Sequence, residues 1–267
     1  MRTDSSRALV AKLAAVSSGG LLSLDAAVDT LGAERNATSR RLSALVRHGW
    51  LMRVRRGLYA IRPLESAPHT PIAVEDPWAV ATRTFEPCYI GGWSAAGHWH
   101  LTEQLFRSTL VVTGRVLRAR DQVVGGSSFH CVRDRALAGG GVTPVWRLGA
   151  RIEVSTVERT LLDACAHPDW VGGGSQLVAI MRTAIEERLL TPATLLREAR
   201  HAASGAALGR LGLLLERLWG DATIVLDFAR AQRGTGYVLF DPAVRRKCRL
   251  ASRWGVWMNV PIAPDAA

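Results

Sequence analysis

Lysine is almost missing from this chain. Of its 34 basic residues only Lys12 and Lys247 are lysine, and the other 32 are arginine. Arginine codons are GC-rich, so part of that bias belongs to coding composition and does not by itself measure anion binding. Cysteine is sparse as well. Cys88, Cys131, Cys165 and Cys248 lie far apart, with no Cys-x-x-Cys pair and no zinc-ligand spacing. Four scattered cysteines in 267 residues make no disulfide framework, so the thiols are expected reduced and mostly buried. No uninterrupted apolar run is long enough to span a bilayer. Residues 1–12 are polar and charged, unlike a secretory signal. The expected compartment is the cytoplasm, with no membrane partner. Phosphate loops are absent too: neither Gly139-Gly140-Gly141 nor Gly172-Gly173-Gly174 is followed by Gly-Lys-Ser/Thr. The second triplet precedes a helical pattern and carries only a weak anion-binding signal. No cofactor is expected.

What is present is apolar content and unevenly placed positive charge. Hydrophobic residues make up 48% of the chain, enough for a real core, and the length fits one or two domains. The net charge is +11 and the sequence pI about 10.8, which points to a polyanionic partner, nucleic acid before membrane. Residues 1–70 hold +6 of that charge. Between Glu34 and Glu65 stand Arg35, Arg40, Arg41, Arg47, Arg53, Arg55, Arg56 and Arg62, with no acidic residue among them. A solvated face normally mixes signs.

The same region reads as a winged helix-turn-helix. Leu9, Val10 and Leu13 give residues 5–16 a helical stripe, ended by Ser17-Ser18-Gly19-Gly20. A second helix is expected over 23–31, with Ser23 as N-cap and Gly32 as the turn. A third is expected over 36–48, ended by Gly49. This is the element order of a helix-turn-helix. On a helical wheel Leu42, Leu45 and Val46 share the inward side. Asn36, Ala37, Arg40, Ala44 and Arg47 fall opposite, flanked by Arg41 and Ser43. Recognition helices read bases chiefly from their N-terminal half. Arginine pairs bidentately with guanine O6 and N7. Asn36, Arg40 and Arg41 are therefore the expected base contacts, with Ser43 beside them and Arg47 on phosphate. Residues 50–61 alternate apolar and basic and reverse at Arg56-Gly57, the pattern of a hairpin wing carrying Arg53, Arg55 and Arg56. Pro63, Pro68, Pro71 and Pro77 mark a linker over 66–77.

From residue 78 to 267 short apolar runs alternate with helical patterns, which predicts a larger mixed α/β domain. Strands are expected at 110–113, 129–132, 151–154, 237–240 and 256–260. Helices are expected at 156–166, 175–190, 192–203 and 206–219.

Three motifs in this order resemble the AbiEi family of antitoxins. One is Gly91-Gly92-Trp93-Ser94-Ala95-Ala96 with His98 and Leu101-Thr102-Glu103-Gln104. Another is Ser155-Thr156-Val157-Glu158-Arg159-Thr160-Leu161-Leu162-Asp163 followed by Gly172-Gly173. The third is the stretch 42–59, ending Val54-Arg55-Arg56-Gly57-Leu58-Tyr59. The resemblance covers most of residues 5–190. It implies an antitoxin of a type IV toxin–antitoxin system. In such proteins a winged helix-turn-helix represses the operon at inverted repeats in double-stranded DNA, and a larger C-terminal domain neutralises a nucleotidyltransferase-like toxin. No catalysis is implied.

His98 and His100 would point about 200° apart on a helix, so with Glu103 they make no convergent metal site. A DNA-targeted nuclease would need converging carboxylates. Glu158 and Asp163 are offset by about 140° on one helix, and Glu158 beside Arg159 reads as dipole stabilisation of a first turn. A transcription factor whose second domain senses a ligand remains the other alternative. Arg245, Arg246, Lys247, Arg249 and Arg253 form a second basic cluster, which suits a solvated face first, and otherwise DNA or an acidic partner such as a toxin.

Overall fold

The structure, a computed structural model, describes residues 2–62, 76–134, 140–202, 204–246 and 249–262. The chain divides into two compact units. One comprises residues 1–86, 117–131 and 144–152, the other residues 87–116, 132–143 and 153–267. The architecture is mixed α/β, with a winged helix-turn-helix at the N-terminus, as the sequence predicts.

In the first unit α1 (Arg2–Ala14) leads through a turn to β1 (Leu21–Ser23). α2 (Leu24–Leu31) starts where the Ser23 hydroxyl accepts from the Ala26 amide at 3.1 Å. It stops at Gly32, whose φ of +56° suits glycine and whose amide donates back to the Val28 carbonyl. α3 (Arg35–Arg47) buries Thr38, Leu42 and Leu45, a stripe at helical spacing. β2 (Leu51–Arg55) and β3 (Leu58–Ile61) form the wing, turning at Gly57 with φ +79°. β1 lies antiparallel on the far side of β3, giving the strand order β1-β3-β2. Val10, Leu13, Leu22, Leu42, Leu51 and Tyr59 share one core.

The proline-rich stretch expected as a linker lies outside the described residues as far as 75. Its last two residues begin a helix instead. Asp76 caps α4 (Pro77–Phe85), accepting from the Trp78 amide at 2.9 Å, and Pro77 occupies the first turn, where no amide is needed. Asp76 also accepts from Arg147 Nε at 2.7 Å, and that guanidinium lies 4.4 Å above the Trp78 ring. Phe85 meets Phe129 edge to face.

The second unit contains β4 (Cys88–Ile90), antiparallel to β5 (Thr109–Thr113), and α5 (Gly92–His98) between them. The hairpin β6 (Asp121–Val124) and β7 (Ser127–Arg133) follows, largely within the first unit. β8 (Val142–Arg147) and β9 (Ala150–Ser155) contribute residues to both units, and Val154 of β9 pairs in parallel with Ile90. The helices α6 (Val157–Ala166), α7 (Gly174–Glu186), α8 (Pro192–Ala202), α9 (Gly205–Leu218) and α10 (Thr223–Gln232) enclose the large core. The chain ends in a small sheet of β10 (Val238–Leu239), β11 (Arg249–Ala251) and β12 (Val256–Met258), ordered β10-β12-β11.

Polar side chains tie that last sheet into the helices. Arg210 is buried and donates to the Cys165 carbonyl at 2.7 Å and the Leu239 carbonyl at 2.8 Å. Asp241 accepts from the Gly174 amide at 2.6 Å. The anion at the start of α7 is thus the chain's own carboxylate, which answers the weak anion signal of the second glycine triplet. Gly212 leaves room for the Trp254 ring, and the Trp254 indole donates to Glu216 at 2.7 Å.

Candidate nucleic-acid interface

The eight arginines between Glu34 and Glu65 have different fates. Arg62 is buried, and its Nε donates to the Gly49 carbonyl at 2.6 Å. It ties the end of the wing to the end of α3 and leaves the surface charge. Arg35 is exposed and paired with Asp25. Arg55 is exposed, and its Nη2 donates to the Arg83 carbonyl at 2.7 Å.

Arg40, Arg41 and Arg47 on α3, and Arg53 and Arg56 on the wing, are all exposed. Among the described residues none of these five has a hydrogen-bond or carboxylate partner, so each guanidinium is available to a ligand. Asn36 and Ser43 are exposed beside them on α3. Thr38, Leu42 and Leu45 set this orientation by facing inward, and small Ala37 and Ala44 keep the outward surface low. Chemically the surface offers planar donor forks for phosphate oxygens or guanine edges, plus one amide suited to adenine.

The second unit has no comparable surface among the motif residues. Its motifs build packing. The Trp93 indole donates to the Ser108 carbonyl and the Trp99 indole to the Ser155 carbonyl, each at 2.7 Å. The Ser94 hydroxyl accepts from the Leu110 amide at 2.9 Å. A side chain on Gly92 would strike the Trp170 carbonyl. α5 ends at His98, and His100 takes a left-handed conformation at φ +57°. Among the described residues no group of His, Cys, Asp or Glu is arranged to hold a metal.

Asp163 does not converge with Glu158. It faces Arg159, one helical turn back, whose Nε donates to it at 2.8 Å. The Tyr89 hydroxyl donates to the other Asp163 oxygen at 2.9 Å and accepts from Arg159 Nη2 at 3.0 Å. Asp134 lies 3.3 Å and Glu198 4.0 Å from the same guanidinium. Burial opposes the charge on Arg159, but Asp163 above all, with Tyr89 and Glu198, outweighs it and holds the group firmly protonated. Burial, followed by the charge of Asp163, pushes the Tyr89 phenol above its usual range. Full burial pushes the Cys165 thiol up to about 12, which leaves it unreactive at neutral pH. The i, i+4 spacing of Arg159 and Asp163 is the sequence signal for this cluster.

In the second basic cluster Arg246 donates to the Asn259 carbonyl and Arg253 to Glu216. Arg245 and Arg249 are exposed, while Lys247 lies outside the described residues.

Residues 11–62 match the family AbiEi_4, described as a transcriptional regulator, AbiEi antitoxin. The fold resembles the crystal structure of RV2827C protein from Mycobacterium tuberculosis, with a TM-score of 0.62 at 18% identity, covering 95% of this chain and 90% of that one. At that identity the likeness is one of fold. No curated protein matches the chain. Over residues 11–62, therefore, the chain is similar to AbiEi-type transcriptional regulators.

Proposed function

We propose that this protein is a cytoplasmic DNA-binding autorepressor and the antitoxin of a type IV toxin–antitoxin system. It binds inverted repeats upstream of its own operon and neutralises a nucleotidyltransferase-like toxin, without catalysis of its own. The observation that carries this reading is the set of five exposed guanidinium groups on α3 and the wing, unpaired among the described residues, within a segment that matches a regulator family. Residues 1–65 act as the DNA-binding module and residues 78–267 as the antitoxin module.

In this reading Asn36, Arg40 and Arg41 contact base edges, Ser43 supports them, and Arg47, Arg53 and Arg56 hold phosphates. Arg55 belongs to the same surface in a different role, taken up below. Those three neutralised phosphates would give a log–log salt slope of roughly −2.7 per chain. The test is fluorescence anisotropy with the DNA upstream of the gene against a scrambled duplex, across a salt series. Selective, salt-dependent binding supports the reading, and equal binding to both duplexes removes the repressor role. Rescue of cells expressing the adjacent toxin gene tests the antitoxin half.

One observation favours a second reading, a ligand-responsive regulator. A cleft of about 530 Å³ in the second unit is lined by Trp99, His100, Thr102, Glu103, Thr183 and Glu187. That volume falls within the range of small-molecule sites. A small molecule that shifts DNA affinity only while Trp99 is intact would favour it over the antitoxin role.

A further inference from the structure

We infer that Arg55 is a positioning residue that braces the wing against the end of α4, not a phosphate anchor; the inference rests on the DNA-binding reading above. It begins with a proline. In a continuing helix the Arg83 carbonyl would accept from the amide of residue 87, four positions on. Residue 87 is proline and has no amide hydrogen. Proline also drives the residue before it out of helical conformation, and Glu86 stands extended at ψ 136°. α4 ends there, with its Thr82 carbonyl served by the Glu86 amide and its Arg83 carbonyl left without a local donor.

Arg55 supplies that donor from 28 residues away, at 2.7 Å. The bond is charge-assisted, and it sets a cation at the negative end of a helix dipole. The wing is built to make it. β2 and β3 pair regularly as far as Arg53 opposite Tyr59, then the register shifts so that Arg55 stands opposite Leu58. Such a bulge bends its strand and re-aims the side chain that follows. Arg53 and Arg56, on either side of it, keep free guanidinium groups, while Arg55 is drawn into the chain's own backbone.

A charged bond thus links wing and α4 within the same compact unit, and α4 runs directly through Pro87 into β4. Set by that bond, the wing presents Arg53 and Arg56 at a fixed angle. Arg55 then affects DNA binding through geometry, while Arg53 and Arg56 affect it through charge.

The experiment uses the full chain with Arg55→Ala, Arg53→Ala and Arg56→Ala. Amide exchange of the wing, residues 51–61, is followed by mass spectrometry without DNA, and operator affinity is followed across a salt series. Expected for Arg55→Ala is faster wing exchange and affinity weaker by about tenfold, as for loss of one charge-assisted bond, with the salt slope of the wild type. Arg53→Ala and Arg56→Ala leave wing exchange unchanged and each lower the slope by about 0.9. Unchanged wing exchange in Arg55→Ala, or a slope lowered by about 0.9, would overturn the inference. If the wild-type chain binds no DNA selectively, the proposed function fails, while the DNA-free exchange comparison still decides the brace.

Discussion

The surface of α3 and the wing, on one side, and the core of the second unit, on the other, use arginine in opposite ways. In the first, five arginines stand exposed and, among the described residues, without an internal partner. In the second, Arg159 and Arg210 are 3% and 4% exposed, and every direction of their guanidinium groups meets a carboxylate, a hydroxyl or a carbonyl. Burying a cation is tolerable only with such partners. The net charge of the chain therefore says little about where an anion binds. What matters is which guanidinium groups the fold has left unspent.

The sharpest way to break this contrast is Arg159→Met. It leaves Asp163, Asp134 and Glu198 together in a poorly solvated place, so unfolding by urea should show a loss of about 3–5 kcal/mol. A stable variant would mean that the cluster is not the keystone its burial implies. Arg40→Ala and Arg41→Ala should do the reverse. Each is expected to cost about 1–3 kcal/mol of operator binding and to relax base preference, with the urea midpoint unmoved. Ser23→Ala removes the cap of α2 and should cost about 1 kcal/mol of stability, measured by thermal unfolding. The smallest effect is expected for Arg35→Ala. Its pair with Asp25 is exposed on both sides, so stability should fall by less than about 1 kcal/mol.

The winged domain was largely legible because its signals are local. Ser23, Gly32 and Gly57 mark starts and stops through their own backbone preferences, and Leu42 and Leu45 repeat at helical spacing. β1 was not legible, since three residues, Leu21 to Ser23, carry no period and acquire strand geometry only from β3. Beyond the winged domain β4, β6, β8, β11, α4, α5 and α10 were not legible either, many of them for a similar reason. Several are short, and β8, Val142–Arg147, contains a proline. Within the candidate site, Arg62 and Arg55 look like their neighbours in the sequence. Their separation from Arg53 and Arg56 depends on the carbonyls of Gly49 and Arg83, which only the folded chain brings near.

The carboxylate of Asp241 at the head of α7 has a practical consequence for anyone shortening this protein. The recognisable motifs stop well before it, which invites truncation near residue 190. Such a fragment would lose the acceptor for the Gly174 amide and the Arg210 donor to the Cys165 carbonyl. The motif-bearing half would be left with raw polar ends and an open seam. The smallest soluble piece of the second unit should instead extend through Ile262, which belongs to the same core as Leu161 and Leu177.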